Sequence, residues 1–558
     1  MKIFRYISVG LLIISQISAQ TDNQEFRATW VITWEHINPD ASTEANMTRA
    51  KNIIANHAAA NMNAILWQAR QSGTAYYQSS YEPWGYYAGY DDPGYDPLAL
   101  AIEEAHARGL ELHAWFNVFA SSSIHEEAPA IKHPTWVCHD GHGNPMPAKR
   151  ALSPGLDSVR TYLVDVAMEI VNNYDIDGLH LDYVRWSEYT TTTVNRAPAL
   201  GKVIGQEEFP LDGMITQAQL EALATAPDQE RYLYDIDHPF NEGIPDSANG
   251  QPFPSWEEWW RWCVTDFVQT LHDSIQAVKP WVRLSPAALG NYNWGGWQGY
   301  GTVYQDAALW FNEGYIEQLT PMHYHWTTGA GFTGMLTGNG GENWKAFIQP
   351  GINDGRLFSV GPPSYILHDQ NRWGNHRQIV DACRTVPWVD GFQFFSSGQW
   401  DLHQYWQTAS ETIFPTRTKV RGTGPIDQPA PAVPSIAISK VDSLSYQLSI
   451  TPVITAGEQQ WLALYRSESA SVDSSRDLIV DLQLSDSTII VTDTFTGLQD
   501  FNGQYTYAAT ALNRYWGESV VSSLAITDSI PSFPPTIAST YPTPTDTLPV
   551  NGVISIAF

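Results

Sequence analysis

The alternation of short apolar runs with longer amphipathic stretches, from residue 25 to residue 415, most constrains how this chain can fold. The short runs are rich in β-branched and aromatic residues, which favours strands, whereas the longer stretches have helical periodicity. Strands that alternate with helices form a parallel sheet, so the pattern predicts an α/β fold, a (β/α)8 TIM barrel with long loops. The predicted strands are Arg27–Thr33, Ala64–Gln68, Glu111–Asn117, Gly178–Tyr183, Val282–Pro286, Ile316–Met322, Phe347–Pro350 and Gly391–Phe395.

The loops and the C-terminal part of the chain have a different composition. Two insertions, residues 70–96 and 187–255, follow predicted strands, so we expect both on the C-terminal rim of the barrel. Residues 416–434 are Pro-rich and predict a linker. Short alternating segments over residues 435–529 predict an all-β sandwich, and QYTYAATALNRYWGES resembles the last two strands of a fibronectin type III domain. Residues 530–558 predict a second linker and the start of a possible further immunoglobulin-like domain.

The first residues of the chain have the pattern of an export signal. Lys2 and Arg5 precede the apolar run Ile7–Ile14, and Ile17-Ser-Ala19 is a small-residue cleavage site. Residues 1–19 therefore predict a signal peptide, and the mature protein is expected to be secreted or periplasmic, with no membrane insertion. The three cysteines are too few for a disulfide framework, so we expect free buried thiols.

Charge and aromatic content narrow the class of partner. The chain has 30 basic and 59 acidic residues, and its net charge of −29 disfavours nucleic acid and anionic membranes. It also has 23 Trp, 27 Tyr and 20 Phe, more than a core needs, and aromatic faces stack on sugar rings. A polysaccharide is therefore the expected partner. Neither a phosphate-binding glycine loop nor a nucleophile elbow is present, so no cofactor is predicted, and the oligomeric state stays open.

The segment NNYDIDGLHLDYVRW, residues 172–186, carries the strongest chemical signal. Alternation along its strand points Leu179 and Leu181 to one side, and His180 and Asp182 to the other. In a barrel the second pair faces the lumen, where a buried carboxylate is costly unless it is paired or used. The alternative is that Asp182 is structural, as a helix cap or a partner of Arg185.

Five segments carry a resemblance to a known family: LWQARQSGTAYYQSSYEPWG (66–85), GYDPLALAIEEAHARGLELHAWFN (94–117), YDIDGLHLDYVRW (174–186), KPWVRLSPAALGNY (279–292) and EGYIEQLTPMHYHW (313–326). Through them, residues 25–415 resemble the glycosyl hydrolase-like 10 family of bacterial (β/α)8 proteins. The resemblance implies cleavage of bacterial cell-surface polysaccharides, including peptidoglycan glycan strands without their peptides. Many members have a second Asp after the first in this strand, whereas Tyr183 follows Asp182 here.

Glycoside hydrolysis usually needs two carboxylates, and Asp182 is the first candidate. Glu35 and Glu82 follow the first two predicted strands and are candidates for the second, with Asp354 and Asp401 as further possibilities after strands seven and eight. Family-18 chitinases end the corresponding strand in a Glu, but Val184 occupies that position here, which argues against their substrate-assisted mechanism. Other side chains after strand ends are predicted to bind sugar: Trp34, Arg70, Trp84, Asn117, His180, Tyr183, Arg185, His323 and Tyr324.

Three other readings remain open at this stage. A catalytically silent carbohydrate-binding barrel would need no second carboxylate, and an α-glucan-active hydrolase would also place a key Asp after its fourth strand. The segment HPTWVCHDGHGNP, residues 133–145, could suggest zinc, but a turn at Asp140–Asn144 explains it more simply, so no metal site is predicted. The bond cleaved and the stereochemical outcome stay open, because the latter depends on carboxylate separation.

Overall fold

The computed structural model describes residues 23–139, 151–186, 235–239, 242–295, 297–423, 428–455, 458–495, 503–530, 539–541 and 555–557. The predicted signal peptide, most of the insertion at 187–255 and the predicted turn at Asp140–Asn144 lie outside these residues.

The described part of the N-terminal region forms the predicted parallel barrel. In chain order its strands are β1 (Phe26–Val31), β2 (Ala64–Gln71), β3 (Glu111–Asn117), β4 (Gly178–Asp182), β5 (Arg283–Pro286), β6 (Gln318–Leu319), β7 (Leu357–Val360) and β8 (Gly391–Phe394). They pair in the order β5-β4-β3-β2-β1-β8-β7-β6, with the short strand Thr74–Ala75 beside β2. The backbone N–H of Glu317 donates to the carbonyl of Leu284 at 3.1 Å, which brings β6 beside β5 and nearly closes the barrel.

Helices follow the strands in sequence and cover the outside of the barrel. Ser42 caps the helix Thr43–Ala59, and Asp96 caps Pro97–His106, in which Pro occupies the first position. Among the described residues, the α-helices are Thr33–His36, Thr43–Ala59, Pro97–His106, Pro129–Lys132, Asp157–Asn173, Trp256–Val278, Gly299–Thr302, Ala307–Glu313, Gly329–Thr337, Lys345–Asn353, Ser364–Asp369, Asn375–Cys383, Ser397–Leu402 and Tyr405–Thr412, and the 3-10 helices are Tyr86–Ala88 and Pro134–Trp136.

One predicted strand is wrong. The segment Phe347–Pro350 lies in the helix Lys345–Asn353, and the seventh strand is Leu357–Val360. A four-residue apolar run has no period long enough to separate strand from helix, and flanking contacts decide its structure. Asp354 therefore ends a helix that leads into β7, so it cannot follow the seventh strand at the rim as predicted.

The described residues between 435 and 530 form two antiparallel sheets, as predicted for an all-β region. One sheet pairs β9 (Ser435–Lys440), β10 (Ser445–Thr451) and β13 (Ile489–Thr494), and the other pairs β12 (Leu478–Ser485), β11 (Gln460–Ser467), β14 (Thr506–Leu512) and β15 (Ala525–Ile526). Side chains from both sheets share one core, so we call this region the sandwich. Its likeness to fibronectin type III stays a prediction. Strands Ser539–Tyr541 and Ser555–Ala557 form a separate antiparallel pair.

The sandwich packs against the end of the barrel where the strands begin, which we call the floor. Trp461 and Trp516 of the sandwich belong to the same apolar cluster as the lumen residues Phe26 and Trp30. Trp516 Nε1 donates to Glu111 at the start of β3, over 2.5 Å. The first residues after the barrel pack here too, since Lys419 is buried and its backbone pairs with Asn23. The barrel core therefore continues into the sandwich. All three cysteines are buried and free, as predicted.

Candidate active site

Asp182 is the last residue of β4 and lies at the opposite end of the barrel, which we call the mouth. Its register partner is Asn117, the last residue of β3, so two strands place polar side chains at one level. The carboxyl is largely buried, and its Oδ1 accepts a hydrogen bond from the backbone N–H of Tyr183 at 2.6 Å. Burial raises the pKa of Asp182, against the opposing effects of Arg185, this N–H and Trp115. Such a carboxyl retains its proton more readily than an exposed one.

Two neighbours in sequence shape the space around this carboxyl. Arg185 Nη1 lies 3.6 Å from Asp182 Oδ1, and its guanidinium stacks over the ring of Tyr183 at 4.4 Å. Tyr183 has a left-handed backbone with φ of 49°, a conformation that side chains rarely adopt and that is frequent at functional sites. Both were predicted to bind sugar, and the structure brings both to Asp182.

Aromatic side chains form a platform beside Asp182. Phe395, just after β8, lies 5.6 Å from Tyr324, 5.8 Å from Tyr365 and 6.5 Å from Trp115, measured between ring centroids. The charge of Asp182 contributes to the raised pKa of Tyr324, after the larger effect of burial, so this phenol is close to the carboxyl. Phe395, Tyr324 and Tyr365 are half-buried and can present ring surface to a ligand.

Sequence reasoning found Tyr324 but missed the other three members of this platform. Trp115 lies two residues before Asn117 in β3, so alternation alone places it on the same, inward face. Phe395 follows the last strand directly, at the position where site residues are expected in a barrel. Tyr365 lies in the helix Ser364–Asp369 after β7 and carries no comparable signal.

His180 lies one layer below the mouth and is fully buried. Trp30 Nε1 donates to His180 Nε2 at 2.8 Å, so His180 Nδ1 carries the proton and donates to Ser285 Oγ at 3.0 Å. Burial lowers the pKa of His180 to about 3, which keeps the imidazole neutral. The inward direction predicted for His180 is correct, but these contacts connect it to barrel side chains, not to the space above Asp182.

Glu35 follows β1 and joins two loops of the rim. Its Oε1 accepts hydrogen bonds from Ser396 Oγ at 2.6 Å and from the backbone N–H of Gly398 at 2.9 Å. Its Oε2 accepts one from the backbone N–H of Ile32 at 3.0 Å. Burial raises the pKa of Glu35 to about 7 although these three donors lower it. Such a carboxyl can exchange a proton near neutral pH, and it also holds the loop after β1 to the loop after β8.

Arg70 and Glu82 form a closed ion pair. Arg70 Nε and Nη2 donate to the two Glu82 oxygens at 2.7 and 2.6 Å, Tyr162 donates to the same carboxylate at 3.1 Å, and both charged side chains have an exposure of 0%. Arg70 also donates to the carbonyls of Asn117 and Val118, which fixes the end of β3. This geometry gives Arg70 and Glu82 a role in holding the loop after β2, away from solvent.

The remaining predicted sugar-binding residues differ in their access to the mouth. Asn117 is buried and its Oδ1 accepts from Gln68 Nε2 at 3.4 Å. His323 is fully buried among rings, accepts from the Gly361 N–H at 3.1 Å, and has its pKa lowered to about 3 by burial. Trp34 and Trp84 are half-buried, and Trp34 packs 5.7 Å from Tyr87.

Asp401 follows β8 but lies on the outer side of the rim. It is exposed, and its Oδ1 accepts from Trp406 Nε1 at 2.5 Å and from Asn56 Nδ2 at 3.3 Å. It therefore joins the last helices to the helix Thr43–Ala59. Within the described ranges, no group of three or more His, Cys, Asp or Glu residues is arranged to hold a metal. In the same ranges no helix is long and apolar enough to cross a membrane.

The chain is similar to a family of known proteins. The sequence profile described as Glycosyl hydrolase-like 10 matches residues 25–346. The chain is 29% identical over 552 residues to "Glycosyl hydrolase YngK" of Bacillus subtilis (strain 168), with 92% of this chain and 96% of that protein covered. It is 22% identical to "Glycosyl hydrolase DigH" of Escherichia coli (strain K12), with 70% and 88% covered. The PgaB (BpsB) glycoside hydrolase domain from Bordetella bronchiseptica aligns over 70% of this chain and 99% of its own, with 14% identity and a TM-score of 0.40.

Proposed function

Because the chain belongs to the glycosyl hydrolase-like 10 family, we propose that it is an exported hydrolase of a bacterial amino-sugar polysaccharide, with peptidoglycan glycan strands as the substrate class. The observation that carries this proposal is the carboxyl of Asp182 at the barrel mouth, buried, raised in pKa and bordered by a platform of aromatic rings. Aromatic rings stack on sugar rings, and a carboxyl of raised pKa is one of the two carboxyl groups that glycoside hydrolysis usually uses. The export pattern of residues 1–19 supports a location outside the cytoplasm.

Asp182 is proposed as a catalytic carboxyl, and Arg185 as the group that favours its ionised form. Burial and Arg185 act in opposite directions on the pKa of Asp182, so a change in either one changes this pKa. Once a sugar ring covers the platform and excludes water, the burial effect increases. The carboxyl is then suited to donate its proton to the leaving oxygen, or, when ionised, to stabilise the developing positive charge.

The test of the function is the release of reducing ends. Purified protein is incubated with peptide-free peptidoglycan strands, with amylose as the α-glucan control, and new reducing ends are counted. We expect product from the first polymer, and its loss in Asp182→Asn. Product from amylose alone would instead support the α-glucan reading. Equal binding of glycan by the parent protein and Asp182→Asn, with no product from either, would establish a silent carbohydrate-binding barrel. The closed Arg70–Glu82 pair favours this alternative, because it makes Glu82 unavailable as a second carboxyl.

Glu35 is the candidate for the second carboxyl. Its pKa of about 7 provides a test of whether Glu35 donates a proton in the reaction or only joins the rim loops. A proton donor must be protonated, so the rate of cleavage by the parent protein should fall as pH rises through about 7. Glu35→Gln should abolish this fall in rate, together with most of the activity. If Glu35 only joins the rim loops, Glu35→Gln should leave the pH dependence of the cleavage rate unchanged. Glu35→Gln would then lower thermal stability, because the new amide cannot accept every hydrogen bond of the carboxylate.

A further inference from the structure

A row of aromatic side chains runs across the rim from the loop after β1 to the loop after β3. Consecutive ring centroids are 5.7 Å apart for Trp34–Tyr87, 5.1 Å for Tyr87–Tyr86, 6.0 Å for Tyr86–Tyr90 and 5.3 Å for Tyr90–His125. We call these five residues the rim strip. Tyr86 has an exposure of 60%, and the other four are half-buried, so the strip presents aromatic surface to solvent.

The rings meet edge to face or tilted, with interplanar angles from 39° for Tyr90–His125 to 85° for Tyr86–Tyr87. An edge-to-face contact covers at most one face of one ring in the pair, so other ring faces of the strip remain available to a ligand. A continuous core, by contrast, would bury them. The strip is therefore organised as a surface.

The loop that carries the three tyrosines is held rigidly. Tyr76 is fully buried and its hydroxyl accepts from the backbone N–H of Tyr87 at 3.3 Å. Backbone hydrogen bonds close the 3-10 turn Tyr86–Ala88, and the N–H of Tyr90 donates to the carbonyl of Gly85 at 3.0 Å. A rigid loop loses little conformational entropy when a ligand binds, which favours affinity.

Tyr90 itself adopts a conformation that glycine would adopt more easily. Its φ is 59°, in the left-handed region, where a bulky side chain has an energetic cost. Conformations of this kind are concentrated at ligand-binding sites. Tyr183, next to Asp182, has the same property, with φ of 49°. Two tyrosines of the rim, Tyr90 and Tyr183, thus have an energetically unfavourable backbone conformation.

The strip leads towards Asp182 through the loop after β3. Val118 and Phe119 at the start of that loop donate backbone hydrogen bonds to the carbonyls of Asp182 and Tyr183 at 2.7 and 3.3 Å. At the other end, Trp34 precedes Glu35, whose carboxyl accepts a hydrogen bond from Ser396, the residue after Phe395 of the platform, at 2.6 Å. The loops at both ends of the strip are therefore hydrogen-bonded to residues that border the mouth.

We propose that the rim strip binds additional sugar units of a long glycan by stacking, so that the protein prefers extended strands to short fragments. This inference rests on the proposed function for its substrate class, but it concerns a separate surface. An aromatic row on loops that border the mouth of a glycosyl hydrolase-like barrel, on a chain of net charge −29, favours a glycan over a nucleic acid, which would also stack on such rings.

The experiment measures affinity in the Asp182→Asn background, so that no strand is cleaved. The probes are fluorescently labelled peptide-free glycan strands and a labelled disaccharide of the same polymer. Tyr86→Ala and Tyr90→Gly, combined, remove two rings, and glycine suits the left-handed backbone at residue 90. We expect Kd for the strands to rise roughly tenfold, equivalent to about 1.4 kcal/mol, with a smaller change for the disaccharide.

The matched control is Tyr81→Ala. Tyr81 belongs to the same loop and has an exposure of 43%, but its ring packs on Tyr162, outside the strip. This control should bind the strands with the same Kd as the parent protein. Tyr86→Phe retains the ring and should also bind them with the parent's Kd. An unchanged Kd in the double variant, or an equal rise in Tyr81→Ala, would overturn the proposal. Thermal melting of each variant shows that it is folded.

Two outcomes separate this inference from the proposed function. Strand binding that depends on Tyr86 and Tyr90, in a protein whose parent releases no reducing ends, supports the rim strip and contradicts the hydrolase. Cleavage of the strands with binding that is insensitive to these two residues supports the hydrolase and overturns the rim strip.

Discussion

The two ends of β4 show how one strand serves chemistry at the mouth and stability at the floor. Asp177 precedes the strand at the floor, and Asp182 ends it at the mouth. Burial raises the pKa of both carboxyls, but at Asp177 this effect is exceeded by Arg514, His106 and the backbone N–H of Leu112, and the pKa falls below its ordinary value. At Asp182 the opposing groups are weaker and the pKa stays raised.

The difference lies in the partners that the rest of the chain supplies. Arg514 of the sandwich donates to Asp175 at 2.8 Å and to Asp177 at 2.9 Å, and His106 lies 2.8 Å from the other oxygen of Asp177. Asp182 has Arg185 at 3.6 Å, and a half-buried aromatic platform beside it. A fully paired buried carboxylate contributes to structure, whereas a buried one with weak pairing is available for chemistry at a cost in stability.

The largest expected effect is at the mouth. Asp182→Asn should lower kcat by about 10²- to 10⁴-fold, the range expected when a proton-transferring group is lost. The melting temperature should stay the same or rise, because the amide needs no buried charge. Reducing-end release and thermal unfolding are measured on the same preparation. Unchanged kcat, or strong destabilisation, would show that Asp182 is structural.

The next effect is at the floor. Arg514→Ala should destabilise the protein by about 3–5 kcal/mol, because it leaves the buried Asp177 without its cationic partner. Urea unfolding measures this change, and kcat of the folded protein should hardly change. Arg476→Ala, at an exposed arginine of the sandwich, is the control and should unfold like the parent. Equal stability of the two variants would mean that the sandwich does not support the floor.

The smallest effect is on how the free energy of unfolding depends on pH, and it has opposite signs for the carboxyls of Asp177 and Asp182. The folded pKa of Asp177 is lowered, so its stabilisation is complete above the ordinary value of 3.8 and is lost as pH falls through the folded pKa. The folded pKa of Asp182 is raised, so its favourable contribution is complete below 3.8 and is lost as pH rises through the folded pKa.

Unfolding free energies of parent, Asp177→Asn and Asp182→Asn between about pH 3 and about pH 7 test this contrast. The deficit of Asp177→Asn should shrink in acid, and any advantage of Asp182→Asn should grow as pH rises. Parallel curves for all three proteins would show that the two aspartates have equivalent environments.

The fold was largely predictable because its signal is distributed over many residues. Seven of the eight barrel strands overlap their predicted positions, and β3 matches residue for residue. The seventh strand was misplaced because the run around Phe347 has no period, and with it Asp354 was placed at the wrong end of the barrel. Strand order and the inward direction of Asp182 follow from alternation and crossover rules, which act locally.

The candidate site was less predictable because burial and pairing depend on distant residues. Glu82 lies after a strand, as a site residue would, yet Arg70 and Tyr162 close it off. Phe395 and Tyr365 reach the platform from the opposite side of the barrel, and no spacing in the sequence relates them to Asp182. The position of a residue directly after a strand predicts that it lies at the rim, but it does not predict whether its side chain faces the ligand.

The sequence by itself determined the alternating barrel, the inward direction of Asp182 and the aromatic, acidic character of the chain. Only the tertiary structure decided that the sandwich completes the floor, and that Asp177 and Asp182 have opposite shifts in pKa. The physical reason is that a pKa depends on every charge and dipole within a few ångströms, and Arg514 enters that range from 337 residues away.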